Sequence, residues 1–235
     1  MRLWSARRAR TVVPLVLLAA LFVSERRALA ASLVGFSSLE PVAPGVWVDP
    51  EMPAAQRAQV LTWVTDAAAQ LDAFYGSTRA PRRIILGSRM DRLGPFANNE
   101  YGSTLYSPLG ATVVIGPEGL NADVITHELA HAELFARLGW WRNLVAMPVW
   151  FDEGLAMQFD HRERYGAEAY RALEQRGGLV PLTSLWSGAQ FFDEHAADHY
   201  VQVKHDVAEC LSRAGPEGLR AVIDRVAAGG DFEAP

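Results

Sequence analysis

The spacing of apolar residues changes along this chain, and each change predicts an element. From Pro53 or Ala54 to Tyr75, the residues Val60, Val64, Leu71 and Phe74 recur in helical steps, and Gly76 follows as a stop. Val46–Val48, Arg83–Leu86 and Ala111–Ile115 are short apolar runs that read as strands, with another strand near Tyr101–Tyr106. Gly116-Pro117-Glu118-Gly119 breaks the pattern, and a helix is expected from about Asn121 to Leu138. Gly139–Ala146 reads as a loop. Beyond it only helical spacing remains, at about 149–160, 166–176, 197–213 and 216–227. This order predicts an α+β fold: a small N-terminal α/β part with a mixed sheet, then a mainly helical C-terminal part. The helix near 121–138 would sit at the junction.

The N-terminus follows a different pattern. Six arginines fall in the first 30 residues, and the uncharged run Thr11–Val23 (TVVPLVLLAALFV) separates four of them from the other two. Ala28-Leu29-Ala30 then offers a small-residue cleavage pattern, so residues 1–30 read as a secretory signal peptide. As a helix the run Thr11–Val23 would reach only about 20 Å, short of a bilayer core of roughly 30 Å. Left uncut, it would instead act as an N-terminal anchor and membrane tether. Residues 31–50 read as a linker running into the strand at Val46–Val48, and 51–235 as the functional domain.

Composition narrows the chemistry. Half of the 235 residues are hydrophobic and 21% are charged, as in ordinary globular domains, so disorder is not expected. Net charge is −5, and with the basic first 30 residues set aside the remainder carries about −10. An acidic body argues against nucleic acid as a partner, which needs clustered basic surface. Cys210 is the one cysteine, which excludes an intrachain disulfide and a multi-cysteine zinc site. A metal here must use His and carboxylate ligands.

His127-Glu128-Leu129-Ala130-His131 has the form HExxH. Residues four apart share one helix face, about 6 Å apart along the axis, so two imidazoles can close on one zinc ion. Glu128 is rotated about 100° from His127, which brings its carboxylate near the metal without making it a ligand. A water on such a site ionises near neutral pH, and Glu128 is placed to accept its proton.

A catalytic zinc needs a third protein ligand, and downstream stands Trp150-Phe151-Asp152-Glu153-Gly154-Leu155-Ala156. HELAH followed by WFDEGLA resembles the gluzincin peptidases, the thermolysin-like group. The second stretch is closest to the W-x-x-E-G-x-A form of alanyl-aminopeptidase-like families. The resemblance covers about residues 100–225 and implies one zinc per chain, with Glu153 as third ligand. Read as a helix, 149–160 puts Phe151, Leu155 and Phe159 on one face and Glu153, Ala156 and Asp160 on another. Small Gly154 and Ala156 would let this helix approach the HELAH helix. Three departures stand out: Glu133 occupies a position usually apolar in the group, the 21-residue gap from His131 to Glu153 is slightly long, and no G-x-M-E-N stretch is present. The last departure disfavours an aminopeptidase and leaves an endopeptidase.

The same resemblance implies a Tyr or His that donates a hydrogen bond to the oxyanion. Tyr200, with His199 in reserve, is the candidate. Tyr200, Val203, Val207 and Leu211 form the apolar stripe of the helix 197–213, His199 flanks it, and His205 points away. Cys210 beside the stripe reads as buried filler. The expectation is therefore an exported zinc metallopeptidase acting on a peptide or protein substrate, with Ala111–Ile115 as an edge strand for an extended peptide. The alternative is an exported binding protein that keeps zinc without catalysis, although such a site needs no Glu128.

Overall fold

The computed structural model describes residues 26–97 and 99–235. The Arg-rich start and the run Thr11–Val23 lie outside the described residues. Among those described, no helix is long and apolar enough to cross a membrane. The first element, α1 (Arg26–Ser32), contains the expected cut after Ala30 and buries Ala28 and Ala31. It is followed by a 3-10 turn at Val34–Phe36 and by β1 (Glu40–Ala43), so structure begins within the stretch expected to be linker.

β2 (Val46–Val48), α2 (Ala54–Tyr75), β3 (Ile84–Leu86), the short α3 (Met90–Leu93), β4 (Gly102–Ser107) and β5 (Gly110–Ile115) complete the N-terminal part. The five strands form one mixed sheet in the order β1-β2-β3-β5-β4. β2, β3 and β5 run parallel, and β1 and β4 pair antiparallel at the two edges. Alternation along the strands feeds two cores, as a pleated strand requires. Ile84, Leu86, Val113 and Ile115 face α2 and the helix Ala122–Val145, while Ile85 and Val114 face Ala31, Val34, Leu93 and Phe96 on the other side.

The sheet corrects the edge-strand expectation. β5, which holds Ala111–Ile115, is interior: Val113 pairs with Ile84 on one side and with Thr104 on the other. Its unbroken apolar run fits a strand buried on both faces. The edge is β4, whose residues are mostly half-buried.

α4 (Ala122–Val145) joins the two parts. The Asn121 side chain caps it by accepting from Val124 N at 3.0 Å. One flank (Val124, Ile125, Ala132, Phe135) packs on the sheet core, and another (Ala130, Leu134, Leu138) packs on the helical core. The HExxH helix thus lies at the junction of an α+β fold, as expected. Gly139, at φ 75°, ends the first helical segment, but Trp140–Val145 resumes as helix rather than forming the expected loop. No proline or turn cluster follows Gly139 to prevent this.

The helical part contains α5 (Val149–Ala156), α6 (Ala167–Gln175), α7 (Gly188–Phe191) and α8 (Ala196–Ala227). A 3-10 turn, Met157–Phe159, continues α5, and α8 breaks at Gly215-Pro216, where two helices were expected. Phe151, Leu155, Phe191, Val203 and Val207 form the centre of its core. Gly154 has a different neighbour from the one expected. A Cβ there would lie 2.5 Å from Val207 Cγ2 and 2.7 Å from Val203 O, so this glycine brings α5 against α8 rather than against α4.

Candidate metal centre

α4 presents His127 and His131 on one face, and α5 brings Glu153 opposite them. All three are buried. His127 Nε2 and His131 Nε2 are 3.1 Å apart, and each lies 3.4 Å from Glu153 Oε2. Ligands about 2.0–2.1 Å from a tetrahedral ion stand about 3.3 Å from one another, so the triangle has the dimensions to hold one metal ion. Glu153 Oε2 is buried with no hydrogen-bond partner, as expected of an oxygen reserved for a metal. This group can hold a metal ion, and its two imidazoles and one carboxylate suit zinc.

A carboxylate missed by the sequence reading supports the triangle. Asp152 Oδ1 is 2.6 Å from His131 Nδ1, so it fixes the ring with Nε2 toward the centre. The available signal was its place beside Glu153, but only packing shows that it faces His131. Burial works against a charged His131 ring, yet Asp152 and Glu153 outweigh it and hold the pKa well above the ordinary value. Glu153 is the counterpart. Burial favours its neutral form, but His131 and His127 prevail and keep the carboxyl far below the usual range. The site is built for a carboxylate facing positive charge.

Glu128 stands beside the triangle, not in it. Thr104 Oγ1 on β4 lies 2.8 Å from Glu128 Oε2 and 2.8 Å from the Glu128 carbonyl oxygen, so edge strand and helix jointly fix this side chain. Gly102 makes room for it: a Cβ there would sit 3.0 Å from Glu128 Oε1. The start of β4 is itself held by the glycine-rich turn before α4. Gly116 N donates to Tyr101 O at 2.7 Å, and Gly119 lies so close that its Cβ would be 2.0 Å from that oxygen. Thr104 and Gly102 were not singled out in the sequence, since only the sheet register brings them to α4.

Tyr200 and His199 separate. The Tyr200 ring lies 6.3 Å from that of His127 and lines the cleft. Burial, reinforced by the charges of Glu153 and Glu128, pushes its phenol pKa far up, so the hydroxyl stays protonated and can donate. His199 is buried elsewhere: its ring nitrogen donates to Phe191 O at 2.8 Å, and it lines neither compartment of the cleft. His205 stacks on Tyr170 with ring centroids 3.6 Å apart, away from the centre, and Cys210 is buried filler. Glu133 is fully buried and faces away from the metal group. It accepts from Arg79 N and Ala80 N at 2.8 Å and pairs with Arg137, which ties α4 to the loop after α2.

The cleft has two compartments that meet at His127, Glu128 and Tyr200. The larger, of about 780 Å³, runs along Gly102–Tyr106 and is walled by Leu144, Met147, Val149, Trp186 and Phe192. The smaller, of about 370 Å³, is lined by Tyr101, Val124, Met157, Tyr165, Arg162 and Arg164. Compared with protein-family models, with curated proteins and with solved structures, the chain matches none of them.

Proposed function

We propose that this chain is a zinc-dependent hydrolase of the gluzincin kind that cleaves peptide bonds as an endopeptidase outside the cytoplasm. The observation that carries the reading is the His127–His131–Glu153 triangle with Glu128 beside it in an open cleft. Bound zinc would supply a Lewis acid that acidifies water and polarises a carbonyl. Glu128, held by Thr104, is the base that takes the proton of the attacking water and passes it to the leaving amine. Tyr200 donates to the oxygen on which negative charge develops. Asp152 keeps His131 turned toward the metal.

The cleft supports a polymeric substrate, because its compartments extend to both sides of the reacting groups. β4 is the sheet edge there, so an extended peptide can add to it as a further strand. Export rests on the order of charged, apolar and small residues in 1–30. A zinc-keeping binding protein would have no use for the fixed carboxylate of Glu128.

Digestion of a proteome-derived peptide library by the zinc-loaded full chain tests the proposal. Cleavage within peptides is expected, abolished by chelator and by Glu128→Gln, with zinc content kept in that variant. An inert zinc-loaded parent, or a Glu128→Gln variant as fast as the parent, would contradict it.

A further inference from the structure

The smaller compartment is electrically unlike the rest of the cleft. Two arginines line it, and they differ in state. Arg162 is neutralised by Asp160, a fully buried carboxylate to which it binds through Nε and a terminal nitrogen. Arg164 forms no ion pair among the described residues and is exposed toward solvent. Its guanidinium lies 4.8 Å from the Tyr165 ring centroid and 6.0 Å from that of Tyr101. Two aromatic faces thus position a charge whose hydrogen-bonding edge stays available. Tyr165 in turn lies 6.0 Å from Tyr200, and Tyr200 lies 6.3 Å from His127. An extended peptide rises about 3.3 Å per residue, so Arg164 is reached within about five residues of the metal group.

The geometry points to Arg164 as a carboxylate-binding subsite of the cleft, selecting peptides that carry a negative charge on that side of the cleaved bond. The inference rests on the peptidase reading for its substrate class. A guanidinium matches a carboxylate through paired hydrogen bonds. The carboxylate can come from an acidic side chain or from the chain's own C-terminus, since the recognising chemistry is the same. The larger compartment is apolar at its rim, where Trp186 and Phe192 are exposed, so the two sides of the bond meet different surfaces.

The test reads binding. The zinc-loaded full chain carrying Glu128→Gln keeps peptides intact, and it is compared with the same protein carrying Arg164→Gln as well. The probes are dye-labelled, C-terminally amidated neutral peptides in which one glutamate is walked along the chain. Each is paired with its glutamine twin, and one neutral peptide has a free C-terminal carboxylate. Anisotropy titration at low salt should show about tenfold tighter binding of at least one charged probe. That advantage should fall below about twofold with Arg164→Gln, while the neutral twins bind both proteins alike. Preference for an internal glutamate assigns the subsite to an acidic side chain, and preference for the free carboxylate assigns it to the peptide's end. Equal binding of charged and neutral probes, an advantage that survives Arg164→Gln, or no binding of any probe overturns the inference. Hydrolysis of the same peptides by the zinc-loaded parent is scored separately. Its absence would defeat the peptidase reading while the carboxylate preference still stood or fell on the titrations.

Discussion

The two halves of the molecule supply the metal centre in different ways. The sheet side and the first segment of α4 provide His127, His131 and Glu128, whose relative positions are set within one helix. The helical side provides Asp152 and Glu153 on α5 and Tyr200 on α8, which reach the centre only because α5 and α8 pack against α4 and against each other. The first set is a product of helical periodicity, available as soon as 121–138 is helical. The second depends on tertiary packing and on one missing side chain, at Gly154. Damage to the first half should therefore remove single functions, whereas damage to the packing of the second should loosen the site as a whole.

Four substitutions sharpen that contrast. The largest effect is expected at Tyr200. Tyr200→Phe removes only a hydroxyl, so turnover should fall by about 10²–10³-fold, with zinc content kept and KM little changed. Steady-state kinetics decide this, and a loss within about threefold would make Tyr200 a packing residue. Next is Asp152→Asn, which replaces the acceptor behind His131 with a weaker one. Zinc affinity, read by competition with a chelator, should drop by about 10–100-fold. Unchanged affinity would mean that Asp152 does not orient the ligand.

The smallest effect comes from a glycine pair, one in each half. Gly154→Ala drives a methyl into Val207 and the Val203 carbonyl, so thermal or denaturant unfolding should show a loss of about 1–3 kcal/mol together with weaker zinc binding. Gly102→Ala presses on Glu128 and on Val124, both in the first turns of α4, so turnover should fall while zinc content stays near the parent's and unfolding changes less than in Gly154→Ala. If the two variants behave alike, the two halves do not divide the site in this way.

This division also explains what could be read from the sequence. The α+β order, the position of α4 and the HExxH face follow from spacing alone, because a helix converts four residues into one shared face. The resemblance in WFDEGLA added Glu153. Asp152, Thr104 and Gly102 carry no periodic signal of their own; strand register and interhelical packing bring them in. The place of β5 inside the sheet was legible in part, since Ala111–Ile115 lacks the polar alternation of a half-exposed strand. α1 escaped because RRALAAS has the small residues of a cleavage region, yet two of its alanines are buried.

Zinc stoichiometry tests the central claim most directly. Metal analysis of the purified full chain should find one zinc per chain, and the His127→Ala, His131→Ala double variant should hold none while remaining folded by circular dichroism. Full zinc content in the folded double variant would contradict the assignment of His127, His131 and Glu153 as the metal ligands.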